Sequence, residues 1–506
     1  MQSRAAGFLF FLLLGSGGIV ACTSSNSSSG LLSTLPATGG PHGASGSTPI
    51  QHVIIVIQEN RSFDNFFATF PGADGTTVGQ AVAMPAPIAS SCAEKGQPVI
   101  TQPTTVPLTE VSLQGYGFKN NFAANVDLAH EYGPGYLFDC NAATVQPSKS
   151  DPCQMNGFDL TKEGANGQGP QATCTYTYQY VNPSQIQPYW DMAQQYVLAD
   201  ETFQTQGSES FTAHQDLIAG GTAINTTESV IDDPTGFPWG CDAQPANPPS
   251  QMGSVTSLLT TEGKYLLDQG PFPCFTQYKT MRDLLDAKGI SWKFYGDEVY
   301  VWHNPKSNGP DIWTAFDAIK DVRYGSEWGT KVVWPDTNIF NDIKDGNLPA
   351  VSWLTPNAPN SDHPAEKSDT GPSWVASVVN AIGQSQYWNS SAIVVMWDDW
   401  GGFYDHVPPP FYDDHGGLGF RIPMLIISPY VQAHVEHTQY ETTSVLKFIE
   451  KNWDLGTLGQ ADERATSIGN AFDFNQSPRA FKVIPAKYSL QFFLRQKQSG
   501  RPPDTE

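Results

Sequence analysis

The chain has 506 residues and a formal charge of −23, from 27 Lys and Arg set against 50 Asp and Glu. That balance argues against a nucleic-acid partner and against electrostatic docking on anionic lipid, since both carry charge of the same sign. It also repels anionic substrates, so any site that handles phosphate here needs local cations.

Residues 1–21 carry Arg4, an apolar core over residues 8–14, and then Ile19-Val20-Ala21 directly before Cys22. The run is too short to span a bilayer, and its basic, apolar and small residues follow one another in the order of an export signal. Ile-Val-Ala-Cys resembles the lipobox of bacterial lipoproteins, which implies lipidation at Cys22. Residues 22–48 are rich in Ser, Gly, Pro and Thr and read as a flexible, lipid-anchored tether. The expectation is an exported bacterial protein held to the cell envelope, with its anchor as the only membrane contact. Residues 49–490 read as one domain and 491–506 as a polar C-terminal tail.

Six further cysteines, Cys92, Cys140, Cys153, Cys174, Cys241 and Cys274, make an even number suited to disulfides in an oxidising compartment. Their connectivity is not deducible from spacing, although Cys241 and Cys274 bracket one loop-rich excursion and are a possible pair. No Cys-x-x-Cys occurs, which argues against a cysteine-held zinc.

Residues 52–58 are apolar and rich in β-branched side chains, as in a strand buried on both faces, and they stop on Glu59 and Asn60. Residues 75–125 are turn-rich and read as a surface excursion. Residues 125–136, with Asp127 and His130 among Gly and Pro, read as loop. A helical pattern begins at Trp190 and passes into a strand-like stretch. Residues 211–219 can open a helix, which puts Ser208 or Ser210 at its N-terminus, where free N–H groups favour an anion and where Ser is also a preferred cap.

Residues 280–288 form an amphipathic pattern ended by Gly289, followed by strands at 290–295 and 350–354. Trp374, Val375, Val378, Val379 and Ile382 mark a helix. It leads into residues 392–397, a second doubly buried strand, which stops on Asp398 and Asp399 before Gly401 and Gly402. Residues 421–429 read as another strand and 442–453 as a helix. Alternating strands and helices predict an α/β fold, with a mostly parallel central sheet flanked by helices on both faces. Ligands bind at the carboxyl ends of strands in such sheets. If the 52–58 and 392–397 strands are parallel neighbours, Glu59, Asn60, Asp398 and Asp399 converge. Adjacent carboxylates repel unless a cation relieves them, so a divalent metal is expected there.

Four motifs resemble those of the bacterial phosphoesterase family. They are Gln58-Glu59-Asn60-Arg61-Ser62-Phe63-Asp64-Asn65-Phe66-Phe67, Leu198-Ala199-Asp200 with Phe203, Ser361-Asp362-His363-Pro364, and Asp398-Asp399-Trp400-Gly401-Gly402-Phe403-Tyr404-Asp405-His406-Val407-Pro408-Pro409-Pro410. That family contains phosphatidylcholine-type phospholipases C, plant non-specific relatives and an acid phosphatase; the resemblance covers about residues 50–455. It implies an alkaline-phosphatase-like fold and a metal-dependent phosphoric ester hydrolase of phospholipase C or acid phosphatase type, whose partner is a phospholipid or a small phosphomonoester. It further implies one divalent metal ion held by Glu59, Asn60, Asp398, Asp399 and Ser210, with Ser210 as the nucleophile that forms a phosphoseryl intermediate. His130 and His363 match catalytic histidines that bind phosphoryl oxygens or protonate the leaving alkoxide. Hard oxygen ligands suit Mg²⁺, Ca²⁺ or Mn²⁺, with Zn²⁺ and Fe²⁺ left open.

His406 lies in a strong motif in which it can simply fix the turn before three prolines, and His303 has no motif around it. Two departures stand out. Where the family has Ser or Thr, then x-Pro-Asn and a basic residue, Ser210 is followed by Phe211-Thr212-Ala213-His214, which leaves Ser208 as a rival nucleophile. Trp400 follows Asp398-Asp399 where the family commonly has Asp-Glu and then His or Asn, a form closer to the acid-phosphatase branch. The alternative function is a non-catalytic, surface-anchored binding protein on the same fold. Such a protein would be expected to have lost ligands, and Glu59, Asn60, Asp398 and Asp399 are all present.

Overall fold

The computed structural model describes residues 47–114, 127–142, 147–164, 173–234, 241, 255–270, 274–297, 299–300, 308–309, 313–412 and 417–497. Residues 1–46, with Cys22, the export signal and nearly all of the expected tether, lie outside the described residues, as do His303 and residues 498–506. The described residues group into one compact unit.

Eight strands build the central sheet: β1 (His52–Gln58), β2 (Val197–Ala199), β3 (Trp292–Tyr295), β4 (Val332–Val333), β5 (Val351–Leu354), β6 (Ser391–Trp397), β7 (Met424–Ile427) and β8 (His434–Glu436). They stand in the order β4-β3-β5-β1-β6-β7-β2-β8. All neighbours run parallel except at β7, which is antiparallel to both β6 and β2. The connection from Trp397 to Met424 carries no helix among its described residues, and a strand that returns without a covering crossover reverses direction. The expected α/β architecture is present.

β1 and β6 pair along their whole length, from His52 opposite Ser391 to Gln58 opposite Trp397. Their Val and Ile side chains are fully buried. Each such burial stabilises the fold by roughly 1.5–3 kcal/mol, so this register is strongly specified.

Helices flank the sheet: α1 (Phe63–Phe67), α2 (Gln187–Gln195), α3 (Ser210–Ala219), α4 (Met281–Ala287), α5 (Asn338–Asp345), α6 (Gly371–Gly383), α7 (Ser444–Trp453) and α8 (Leu490–Phe493). α4 starts on a capping box in which Thr280 and Asp283 satisfy each other's backbone N–H groups. α3 is buried on all ten of its residues, and Trp353 of β5 donates its indole N–H to Leu217 O at 2.9 Å. No helix among the described residues is long and apolar enough to cross a membrane.

Two expectations are corrected. Residues 132–137 form a wide π-helical turn where loop was expected: Gly135 and Tyr136 both donate their N–H groups to Glu131 O, and Pro134 just before them has none to give. The turn is held by its aromatic side chains, with the Tyr132 and Tyr136 rings stacked at 5.3 Å. The tail boundary expected at 490 falls inside α8, where Phe493 is buried with its ring 5.4 Å from that of Trp374. The six cysteines pair as Cys92–Cys174, Cys140–Cys153 and Cys241–Cys274, the last as expected.

Candidate active site

The end of the β1–β6 ladder creates the site. Asp398 donates its N–H to Gln58 O at 2.9 Å, one residue beyond the last strand pair. Asn60 then adopts a left-handed backbone, φ +59°, which Asn tolerates because its short side chain bonds locally. This turns its own N–H onto Asp398 Oδ1 at 2.9 Å and lets Arg61 donate to Asp399 O at 3.0 Å. Glu59 donates its N–H to Ser361 O at 2.8 Å, which brings in the Ser361-Asp362-His363 turn. Gly401 and Gly402 have φ of +59° and +71°; a Cβ on Gly402 would lie 2.5 Å from Leu128 Cβ. Gly402 therefore permits the close approach of the segment that carries His130, and Gly401 that of Asn60.

Two clusters share this point. In the first, Ser210, the first residue of α3, donates its hydroxyl to Asp399 Oδ2 at 3.2 Å. The Asn60 amide nitrogen stands 3.4 Å from both Ser210 Oγ and Asp399 Oδ2 and 3.0 Å from His130 Nε2. His130 Nδ1 lies 2.6 Å from Leu128 O, which can only accept, so the network assigns the proton to Nδ1 and leaves Nε2 to accept from Asn60. With its amide in this orientation Asn60 presents nitrogen, and it would offer a metal its oxygen only with the amide turned over.

In the second cluster, donor atoms of Glu59, His214 and Asp398 all lie within 4.8 Å of one another. His214 Nε2 is 3.0 Å from Glu59 Oε1 and 3.7 Å from Asp398 Oδ2. Burial drives the His214 imidazole down to about 4, against the pull of the Asp398 charge, so it is neutral near pH 7. Asp398 Oδ2 is buried and makes no hydrogen bond among the described residues. Two buried carboxylates beside a neutral imidazole, one of them with an oxygen left without a hydrogen bond, suit a divalent cation. His214 enters the sequence reading only as a departure from the family pattern. The signal that could have found it is its i+4 spacing from Ser210, which puts both on one helix face.

The remaining candidates are placed as follows. Ser208 points its hydroxyl at Asp232 Oδ1, 3.2 Å away, whereas Ser210 points at Asp399. His363 is buried on the turn that receives the Glu59 N–H, with its ring 5.9 Å from that of Trp313. Trp400 forms part of a buried wall, edge-on to His130 at 6.1 Å and donating its N–H to Asp139 Oδ2 at 3.0 Å.

His406 belongs to a separate network. Its Nδ1 is 2.7 Å from Asp64 Oδ2, while fully buried Arg421 donates to Asp405 at 2.8 and 3.2 Å and to the carbonyls of Asp74 and Asp200. The network locks the two long motifs together, and Ser62 adds a hydroxyl bond to Tyr404 O at 2.7 Å. Behind the start of α3, burial raises the acids Glu131, to about 8, and Asp232, to about 6.

The Phosphoesterase family matches residues 50–456. Phospholipase C A of Mycobacterium tuberculosis is 25% identical over 467 residues, covering 86% of this chain and 79% of its own length. Non-hemolytic phospholipase C of Pseudomonas aeruginosa is 24% identical over 479 residues, covering 86% of this chain and 59% of its own. Non-specific phospholipase C1 of Arabidopsis thaliana is 22% identical over 485 residues, covering 87% and 73%. Among solved structures, a protein in the alkaline phosphatase superfamily from Vibrio parahaemolyticus is similar with a TM-score of 0.31 at 12% identity, covering 84% of this chain and 74% of that one.

Proposed function

The chain belongs to the phosphoesterase family, and from that premise we propose that it is a metal-dependent phosphoric ester hydrolase, of phospholipase C or acid phosphatase type, with Ser210 as its nucleophile. The observation that carries this reading is the Ser210 hydroxyl lying 3.2 Å from Asp399, beside Asp398 and Glu59 at the ends of two paired strands.

Glu59, Asp398 and Asp399, with Ser210 and a turned Asn60 amide, would hold one divalent cation, whose chemistry there is to offset the charge of the phosphoryl group and of the ionising hydroxyl. Asp399 Oδ2 fixes the direction of the Ser210 O–H and is placed to take its proton. Ser210 Oγ attacks phosphorus, the bond to the ester oxygen breaks, and the departing alkoxide takes a proton; His363 is the candidate donor. Water then cleaves the phosphoseryl bond and restores the hydroxyl. His130, its Nδ1 held by Leu128 O, is the candidate to bind the phosphoryl oxygens once protonated at Nε2. The three disulfides support an oxidising compartment and agree with export on a lipid carried by Cys22.

The test is hydrolysis of p-nitrophenyl phosphate and p-nitrophenyl phosphorylcholine, side by side, with and without chelator. Chelator-sensitive turnover is expected, and the preferred ester chooses between acid phosphatase and phospholipase C. No turnover of either ester after metal is restored would overturn the reading and leave the surface-anchored binding protein.

A further inference from the structure

We propose that His214 is a nitrogen ligand of the site's metal ion, and that it tunes the site toward a borderline transition ion such as Zn²⁺ or Fe²⁺ over Mg²⁺ and Ca²⁺. The inference rests on the reading that Glu59 and Asp398 hold a cation, and it changes what kind of cation they hold.

The geometry is that of shared coordination. Two donors about 2.0–2.2 Å from one ion, at octahedral or tetrahedral angles, lie roughly 2.8–3.6 Å apart. His214 Nε2 lies 3.0 Å from Glu59 Oε1 and 3.7 Å from Asp398 Oδ2, inside that range for the first and just beyond it for the second. A hydrogen-bonding role accounts for less. Nε2 carries at most one proton, which can satisfy one carboxylate oxygen, and among the described residues Asp398 Oδ2 is left buried without a hydrogen bond. An ion seated among the three atoms satisfies all of them at once.

The helix fixes the imidazole relative to the nucleophile. Ser210 and His214 are separated by one turn of α3, a helix buried on every residue, so the nucleophile and the imidazole are presented by one rigid element. A permanently charged side chain at position 214 would repel a cation, whereas an imidazole binds one. Ligand type then sets preference. Oxygen-only sites suit Mg²⁺ and Ca²⁺, and an imidazole shifts the balance toward Zn²⁺ and Fe²⁺. The hard-ion preference expected from the sequence is thereby reversed.

The experiment is direct metal binding to the full chain after chelator stripping, with Zn²⁺, Mg²⁺ and Ca²⁺ titrated separately, and X-ray absorption at the zinc edge of the loaded protein. The expected result is Zn²⁺ bound about 100-fold more tightly than Mg²⁺ or Ca²⁺, with the outer-sphere scattering of an imidazole. In His214→Gln that scattering disappears and Zn²⁺ affinity falls about tenfold or more, while His130→Gln retains the scattering. Zinc bound through oxygen alone in the wild type, or with unchanged affinity and scattering in His214→Gln, overturns the proposal even if the enzyme is active. Failure of the wild type to bind any divalent ion overturns the underlying metal reading as well. Should His214→Gln not fold, the wild-type spectrum decides by itself.

Discussion

The backbone N–H of Asn60 donates to Asp398 Oδ1 at 2.9 Å across a sequence separation of 338 residues. This bond joins the ends of two parallel strands and aims three side chains at once. Glu59 and Asp398 face His214, and Asn60 turns its amide toward Ser210 and His130.

Ser210 and Ser208 are separated by where their hydroxyls point. Ser210→Ala removes the group bonded to Asp399 and is expected to lower kcat on the order of 10⁴-fold or more. Ser208→Ala removes a bond to Asp232 and is expected to keep activity within about tenfold. Steady-state hydrolysis of the two nitrophenyl esters measures both, and full activity in Ser210→Ala would transfer the role to Ser208.

Arg421 is fully buried between Asp405 and Asp64, with two carbonyls on its remaining N–H groups. Arg421→Met strands those carboxylates, so a loss of roughly 3–5 kcal/mol in unfolding free energy is expected. Arg421→Lys should recover less than half of it, because one ammonium cannot reproduce the planar fork. Denaturant unfolding gives both values; a change under about 1 kcal/mol in Arg421→Met would show that the network carries little of the stability.

Burial alone would lower the pKa of His406, but the hydrogen bond and charge of Asp64, with Asp405, lift it to about 9. A histidine whose folded value lies above its unfolded value of 6.5 contributes stability that is complete below pH 6.5. That contribution is lost as pH rises through about 9. The melting temperature of the wild type relative to His406→Gln is therefore expected to fall between pH 6.5 and about 9.5, and a difference that does not vary with pH would contradict it.

The disulfides differ in the length of chain they close. Chain-entropy arithmetic gives about 4.5 kcal/mol for Cys92–Cys174, which spans 82 residues, and about 3 kcal/mol for Cys140–Cys153, which spans 13. Replacing each pair by serines should lower the denaturation midpoint in that order. The reverse order would place the stabilisation in native packing.

The site was legible in the sequence as far as strand ends could carry it. The apolar runs ending in Glu59-Asn60 and Asp398-Asp399 announce buried strands with oxygen donors at their carboxyl ends, and pairing those runs brings the four residues together. The reversal at β7 was not legible, because a doubly buried strand has the same apolar pattern in either direction. Nor was the choice between Ser208 and Ser210, since both stand at the start of one helix and either can be drawn as a cap. His214 carried no motif of its own. It acquires meaning only when α3 is laid against the strand ends.

By itself, then, the sequence determined the α/β class and the strands that end on Glu59-Asn60 and Asp398-Asp399, because burial on both faces and turn chemistry are local properties of the chain. Tertiary structure alone decided which serine meets Asp399, that His214 joins Glu59 and Asp398, that β7 runs backward, and which cysteines pair. Each of these depends on distances between segments far apart in the chain, and such distances are set by register, helix rotation and packing, which no local pattern encodes.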